Sequence, residues 1–124
     1  SFKIHKYTSQ ILVDQGLDYR TGVVYTTNRR VWEHDENFKQ YLREIRAIGI
    51  DMETATIFIT GLANNIPRGA LLLVSDLPMD PDGVKTEALD QNVTKKYVDL
   101  HLEIGIEAMT HIADQGEQIK HFSF

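Results

Sequence analysis

The sequence predicts an α/β domain, in which buried strands alternate with helices. Three observations carry that prediction. Threonines surround Val23, Val24 and Tyr25, which is strand composition. Gly69 to Val74 is a continuous apolar run, the mark of a strand covered on both faces. Around these runs lie apolar stripes at helical spacing, and alternation of the two periods is how α/β domains are built.

In chain order, residues 2–15 mix apolar and polar positions and run into Gly16, placed to cap a helix C-terminus. Tyr19 to Thr27 follows as the first strand. Asp35 is placed to cap a helix carrying Phe38, Tyr41, Leu42 and Ile45, an i, i+3, i+4, i+7 stripe. Ala47 to Ile50 reads as a short buried strand entering Asp51. From Glu53 to Ala63 almost every residue is apolar, small or threonine, which predicts a helix buried nearly all round. Gly61 would let it pack closely, and Asn64, Asn65 and Pro67 stop it. The strand Gly69 to Val74 then opens into a loop holding Pro78, Asp80, Pro81, Asp82 and Gly83. A last helix spans about Asp90 to Asp114, with Val93, Tyr97, Leu100, Ile104, Ala108 and Ile112 on one stripe, and Gly116 ends it. Three strands make a thin sheet, so neighbouring strands and covering layers are expected outside this chain.

The 124 residues fit one domain, with 42% hydrophobic and 25% charged residues, an ordinary globular balance. No apolar stretch approaches the roughly 20 residues that span a bilayer, and the N-terminus does not read as a signal peptide. The chain opens at Ser1 rather than methionine, which predicts residues upstream of it. A net charge of −5, with no basic run longer than Arg29-Arg30, argues against nucleic acid and anionic membranes as partners. The absence of cysteine removes disulfide and thiolate chemistry and fits a cytoplasmic protein. The five histidines show no helical pairing and no HExxH, so no metal is expected. His101 and His111 are expected at the edges of the last helix or in a subunit contact.

Two acidic clusters lie just past the ends of expected strands, where α/β proteins place their ligands. One is Asp51-Met52-Glu53; the other is Ser75-Asp76. An ionised carboxylate offers only acceptors and suits two vicinal ribose hydroxyls. A carboxyl held protonated can donate to a purine nitrogen and improve the base as a leaving group. The structural alternative stays open: Asp51 or Glu53 can start the buried helix, and Asp76 can be a turn residue before Pro78.

The stretches IGIDMETATIF and GALLLVSD resemble the purine nucleoside phosphorylase and nucleosidase superfamily, with its Glu-Met-Glu-like helix start and its Val-Ser-Asp strand end. More narrowly, GVVYTTNRRVWEHDENFKQYL and VSDLPMDPDGVKTE are similar to AMP nucleosidases. The resemblance implies a nucleoside phosphorylase-like mixed sheet flanked by helices, of which residues 1–124 would be the C-terminal part of a single catalytic domain. It implies hydrolysis of the N-glycosidic bond of AMP to adenine and ribose 5-phosphate, without metal or organic cofactor. Glu53 would bind the ribose hydroxyls and Met52 would pack against the sugar. Asp76 would be the catalytic acid at the imidazole nitrogen of the purine, positioned by Ser75. The family's first acid is commonly Glu, so the shorter Asp51 is expected only as a supporting contact to the base. The region from Tyr25 to Trp32 aligns with the family's base-stacking segment.

Arg29 and Arg30 are candidates for the 5′-phosphate, because paired guanidinium groups suit that anion; a solvated pair or a subunit contact is the alternative. Lys85 is a further phosphate candidate, in a loop that could close over the substrate. Gly16 and Gly22 are isolated, so the family's phosphate loop and its water-handling residue are expected upstream, and the chain alone is expected to be inactive. The family implies a homo-oligomer, a hexamer built from dimers. The alternatives are a nucleoside phosphorylase, a methylthioadenosine-type nucleosidase, or a non-catalytic nucleotide-binding module.

Overall fold

The computed structural model describes residues 2–80, 83 and 87–114. In chain order these form α1 (Phe2–Asp14), β1 (Val23–Thr26), α2 (Glu36–Glu44), β2 (Ala47–Asp51), α3 (Thr54–Ala63) and α4 (Glu87–Asp114). A short 3-10 turn, Trp32–His34, precedes α2. The class is α/β, as expected. The sheet among the described residues is a parallel pair, β1 beside β2. The backbone gathers into two compact units, each described by itself.

One unit holds Arg20–Ala55 and Leu73–Val98. Parallel strands cannot be joined by a tight hairpin, and α2 supplies the crossover. Val23 pairs with Ala47, but Val24 pairs with Gly49, leaving Ile48 as an extra residue in β2. That bulge lays the Ile48 side chain over Gly22, where a Cβ would fall 2.8 Å from Ile48 Cδ1. Beyond the bulge the register runs Tyr25 with Ile50 and Thr26 with Asp51. Helix α2 starts where expected: Asp35 Oδ1 accepts a hydrogen bond from Phe38 N at 3.0 Å. It ends at Arg46, whose φ of 54° turns the chain into β2. Its Leu42 is only 1% exposed, the most deeply buried large side chain of the described residues.

The other unit comprises the described parts of Ser1–Tyr19, Thr56–Leu72 and Asp99–Phe124. Ile11 and Leu12 from α1 and Ile104 and Ala108 from α4 form its core, with Leu17, Leu71 and Leu100 packed against them. Tyr7 meets His111 edge-on at 5.2 Å, and His111 stays exposed on α4. Gly16 caps α1 as expected, at φ 67°. Leu17 N donates to Leu12 O at 2.9 Å and Gly16 N to Val13 O at 2.9 Å, the paired bonds of a Schellman motif. Helix α3 ends the same way at Asn65 (φ 54°), with Ile66 N bonded to Gly61 O at 2.8 Å.

Two expectations are corrected. Gly69 to Val74 forms no strand, because a strand exists only through a bonded neighbour and the ladder among the described residues joins β1 to β2 alone. Nor is α3 buried all round: Ile57, Ile59 and Leu62 are each more than half exposed, and of its residues only Gly61 is buried. Apolar composition states what a helix needs covered, and the described residues do not cover it. Gly116, expected to end α4, lies outside the described residues.

Truncating Leu42 leaves a cavity under α2, and Leu42→Ala is expected to lower stability by about 2–5 kcal/mol. Urea unfolding of the variant beside the parent chain measures the difference.

Candidate functional site

The two strands run parallel, so their C-terminal ends share one edge, and α3 begins immediately beyond it. Thr26 closes β1 and Asp51 closes β2, side by side in register. Asp51 Oδ1 accepts from Thr26 Oγ1 at 2.6 Å. Asp51 Oδ2 accepts from Thr54 N at 2.9 Å and from the Thr54 hydroxyl. The Thr26 hydroxyl in turn accepts from Ala55 N at 2.9 Å. Thr27 N donates to Asp51 O at 2.8 Å, extending the strand pairing by one bond. Asp51 thus adopts the capping geometry that its sequence position allowed. Both of its oxygens are bonded within the chain.

Burial pushes the Asp51 carboxyl up, but the hydroxyls of Thr26 and Thr54 and the amides of Thr54 and Glu53 outweigh it and hold the group below the ordinary carboxylate range. Met52 and Glu53 follow on the exposed rim of this turn. Glu53 Oε2 accepts from Met52 N at 3.2 Å and otherwise faces outward. Ser75 and Asp76 are half-buried, and Ser75 Oγ donates to Asp76 Oδ1 at 2.5 Å. Beyond them, Leu77 N bonds Gly83 O at 2.8 Å.

Of the two adjacent arginines, Arg29 is engaged within the chain. The Arg29 guanidinium donates to Asp35 Oδ2 at 2.5 Å and lies 4.9 Å from the centre of the Phe38 ring. That hydrogen bond, joined by the one from Phe38 N, holds the Asp35 carboxyl below its usual value. Arg30 is exposed. The expected base-stacking region is engaged internally: Tyr25 and Trp32 both meet Phe38 edge-on, at 5.5 and 5.9 Å, and Tyr25 meets Tyr41 at 5.9 Å. Between them Val31 sits at φ 52°, uncommon for a β-branched residue. Lys85 lies outside the described residues.

Asp51, Met52, Glu53, Ser75, Asp76, Arg29 and Arg30 thus all belong to one compact unit. Sequence reasoning missed Thr26, which binds both Asp51 and α3, and Phe38, the ring on which Arg29, Tyr25 and Trp32 converge. Among the described residues no group of three or more His, Cys, Asp or Glu is placed to hold a metal ion. Within them no helix is long and apolar enough to cross a membrane.

The family model of the phosphorylase superfamily matches residues 1–110. The chain belongs to the phosphorylase superfamily. It is 35% identical over 101 residues to the AMP nucleosidase of Escherichia coli strain K12, covering 81% of this chain and 21% of that protein. It is 29% identical over 76 residues to a DeoD-type purine nucleoside phosphorylase of Clostridium beijerinckii, covering 61% of this chain and 32% of that one. Among solved structures, the AMP nucleosidase of Bacteroides thetaiotaomicron matches with a TM-score of 0.72 and 47% identity, over 93% of this chain and 44% of that one. The chain therefore spans about a fifth of the curated AMP nucleosidase and less than half of the solved one.

The Asp51 knot carries a pH signature. The folded carboxyl holds its proton less tightly than the unfolded one, whose pKa is near 3.8, so in acid the unfolded chain binds more protons. The stabilisation is complete above that value and is lost as pH falls through the lower folded one. Asp51→Ala is expected to cost about 1–2 kcal/mol near neutral pH. Urea titrations should show the gap closing below about pH 4, and a gap that persists there would contradict the assignment.

Proposed function

We propose that the protein bearing this chain hydrolyses the N-glycosidic bond of AMP, releasing adenine and ribose 5-phosphate. The observation that carries this reading is the 47% identity to an AMP nucleosidase across 93% of the chain. The stretches with Glu53 and Asp76 lie in the resembling segments.

In this reading Glu53, exposed beyond the end of β2, accepts the ribose hydroxyls, and Met52 packs on the sugar. Asp76, held by Ser75, delivers a proton to the imidazole nitrogen of the purine. The C1′–N9 bond breaks with its electron pair going to adenine, and positive charge develops on the ribosyl ring. Water adds to C1′ and gives up a proton, which leaves ribose 5-phosphate. Asp51 supports the base side through the turn it anchors. Arg30 takes the 5′-phosphate, with Arg29 contributing the N–H groups that Asp35 leaves unused. The chemistry needs no metal or organic cofactor. The chain is proposed as the C-terminal part of one catalytic domain, inactive by itself, within a cytoplasmic homo-oligomer of hexameric type.

The runner-up is phosphorolysis of a purine nucleoside, favoured by the likeness to the Clostridium phosphorylase. Chromatography of products separates the two. The full-length protein is expected to release adenine from AMP with or without inorganic phosphate. Phosphate-dependent cleavage of adenosine, with AMP untouched, would instead support the runner-up, and AMP binding without cleavage would indicate a non-catalytic module. Asp76→Asn in the full-length protein is expected to lower kcat about 10²–10⁴-fold, the usual worth of general acid assistance. Retention of most of the turnover would remove Asp76 from that role.

A further inference from the structure

Glu53 stands on a turn whose two ends are tied to one hydroxyl group. Thr26 Oγ1 donates to Asp51 Oδ1 at 2.6 Å and accepts from Ala55 N at 2.9 Å. Asp51 and Ala55 bracket Met52, Glu53 and Thr54, so this hydroxyl fixes where the turn leaves β2 and where it enters α3. The second oxygen of Asp51 closes the same turn through Thr54 N at 2.9 Å. Thr26 is itself set by the strand register opposite Asp51 and is half-buried behind the turn. Its hydroxyl is engaged as both donor and acceptor by the chain itself.

We propose that Thr26 is a positioning residue for the sugar-binding carboxylate Glu53, acting through Asp51 and the first turn of α3. The proposal rests on the reading of Glu53 as the ribose contact. A carboxylate on a short exposed turn reaches two vicinal hydroxyls only if the backbone beneath it is held, and small misplacements of such groups are costly. Valine at position 26 would fill the same space and offer neither donor nor acceptor. Serine would keep both. The effect is therefore one of hydrogen bonding rather than of volume.

The test compares kcat/KM for AMP and 2′,3′-dideoxy-AMP in the full-length protein and its variants, because loss of sugar positioning acts on the substrate that carries the two hydroxyls. Thr26→Val is expected to lower kcat/KM for AMP about tenfold, the worth of a hydrogen bond to a charged group. The value for 2′,3′-dideoxy-AMP should change less than about twofold, and Thr26→Ser should stay within about threefold of wild type on AMP. Equal losses on both substrates, or no loss on either, overturn the proposal. Thr26→Ala is run alongside, and unfolding of both Thr26→Val and Thr26→Ala, seen by circular dichroism, also overturns it by making the hydroxyl structural. Failure of wild type to cleave AMP strikes the functional reading itself, an outcome distinct from wild-type cleavage that Thr26→Val leaves unchanged.

Discussion

A parallel strand pair followed directly by a helix brings two kinds of unpaired group to one edge: the strand ends and the first amides of the helix. In this chain the carboxylate of Asp51 meets both. One oxygen is bonded by Thr26 from the neighbouring strand and the other by Thr54 from α3. Without an acceptor there, the half-buried amides and hydroxyls of the turn would lose partners at a cost comparable to the bonds themselves. Everything proposed for Met52 and Glu53 depends on that knot, because those residues are the arc it ties off. The depressed proton affinity of Asp51 is the electrostatic expression of the same four donors.

A second anchoring system lies at the N-terminus of α2. Asp35 starts that helix and also holds Arg29, while Phe38, one turn along, offers the guanidinium an aromatic face. Tyr25, Trp32 and Tyr41 complete the cluster. The loop from Thr27 to Asp35 is thereby pinned at both ends, and Val31 is held in the left-handed region between them. In this arrangement Arg29 is oriented by its neighbours, and Arg30 is left exposed toward solvent.

Where the sequence was legible, a local rule was at work. Gly16, Asp35 and Asn65 each declare a helix boundary by what their own backbone or side chain can do, and all three boundaries lie where those rules put them. The strands around Val24 and Ile50 were legible from composition, and Ser75 beside Asp76 from adjacency alone. The failures are non-local. Gly69 to Val74 has strand composition, yet strand formation is decided by a neighbour that composition does not contain. Thr26 and Asp51 lie 25 residues apart, and only the bulge at Ile48 sets the register that joins them. Arg29 looked available for an anion because its partner six residues on had already been read as a helix cap. A carboxylate can do both, and sequence spacing does not say so.

The uncovered apolar residues have a consequence for the behaviour of the chain in solution. Leu72, Leu73 and Val74 are exposed at 44%, 37% and 61%, without ladder partners, and Ile57, Ile59 and Leu62 stand open on α3. Such a run is a template for backbone pairing with another molecule, and self-repulsion is what opposes it. That repulsion comes from a net charge of −5 and vanishes near the isoelectric point of about 5.4. Mild acidification therefore removes that repulsion well before it reaches the pH at which Asp51 takes up its proton. Charge repulsion is thus lost at a pH where Asp51 is still ionised and its hydrogen bonds intact.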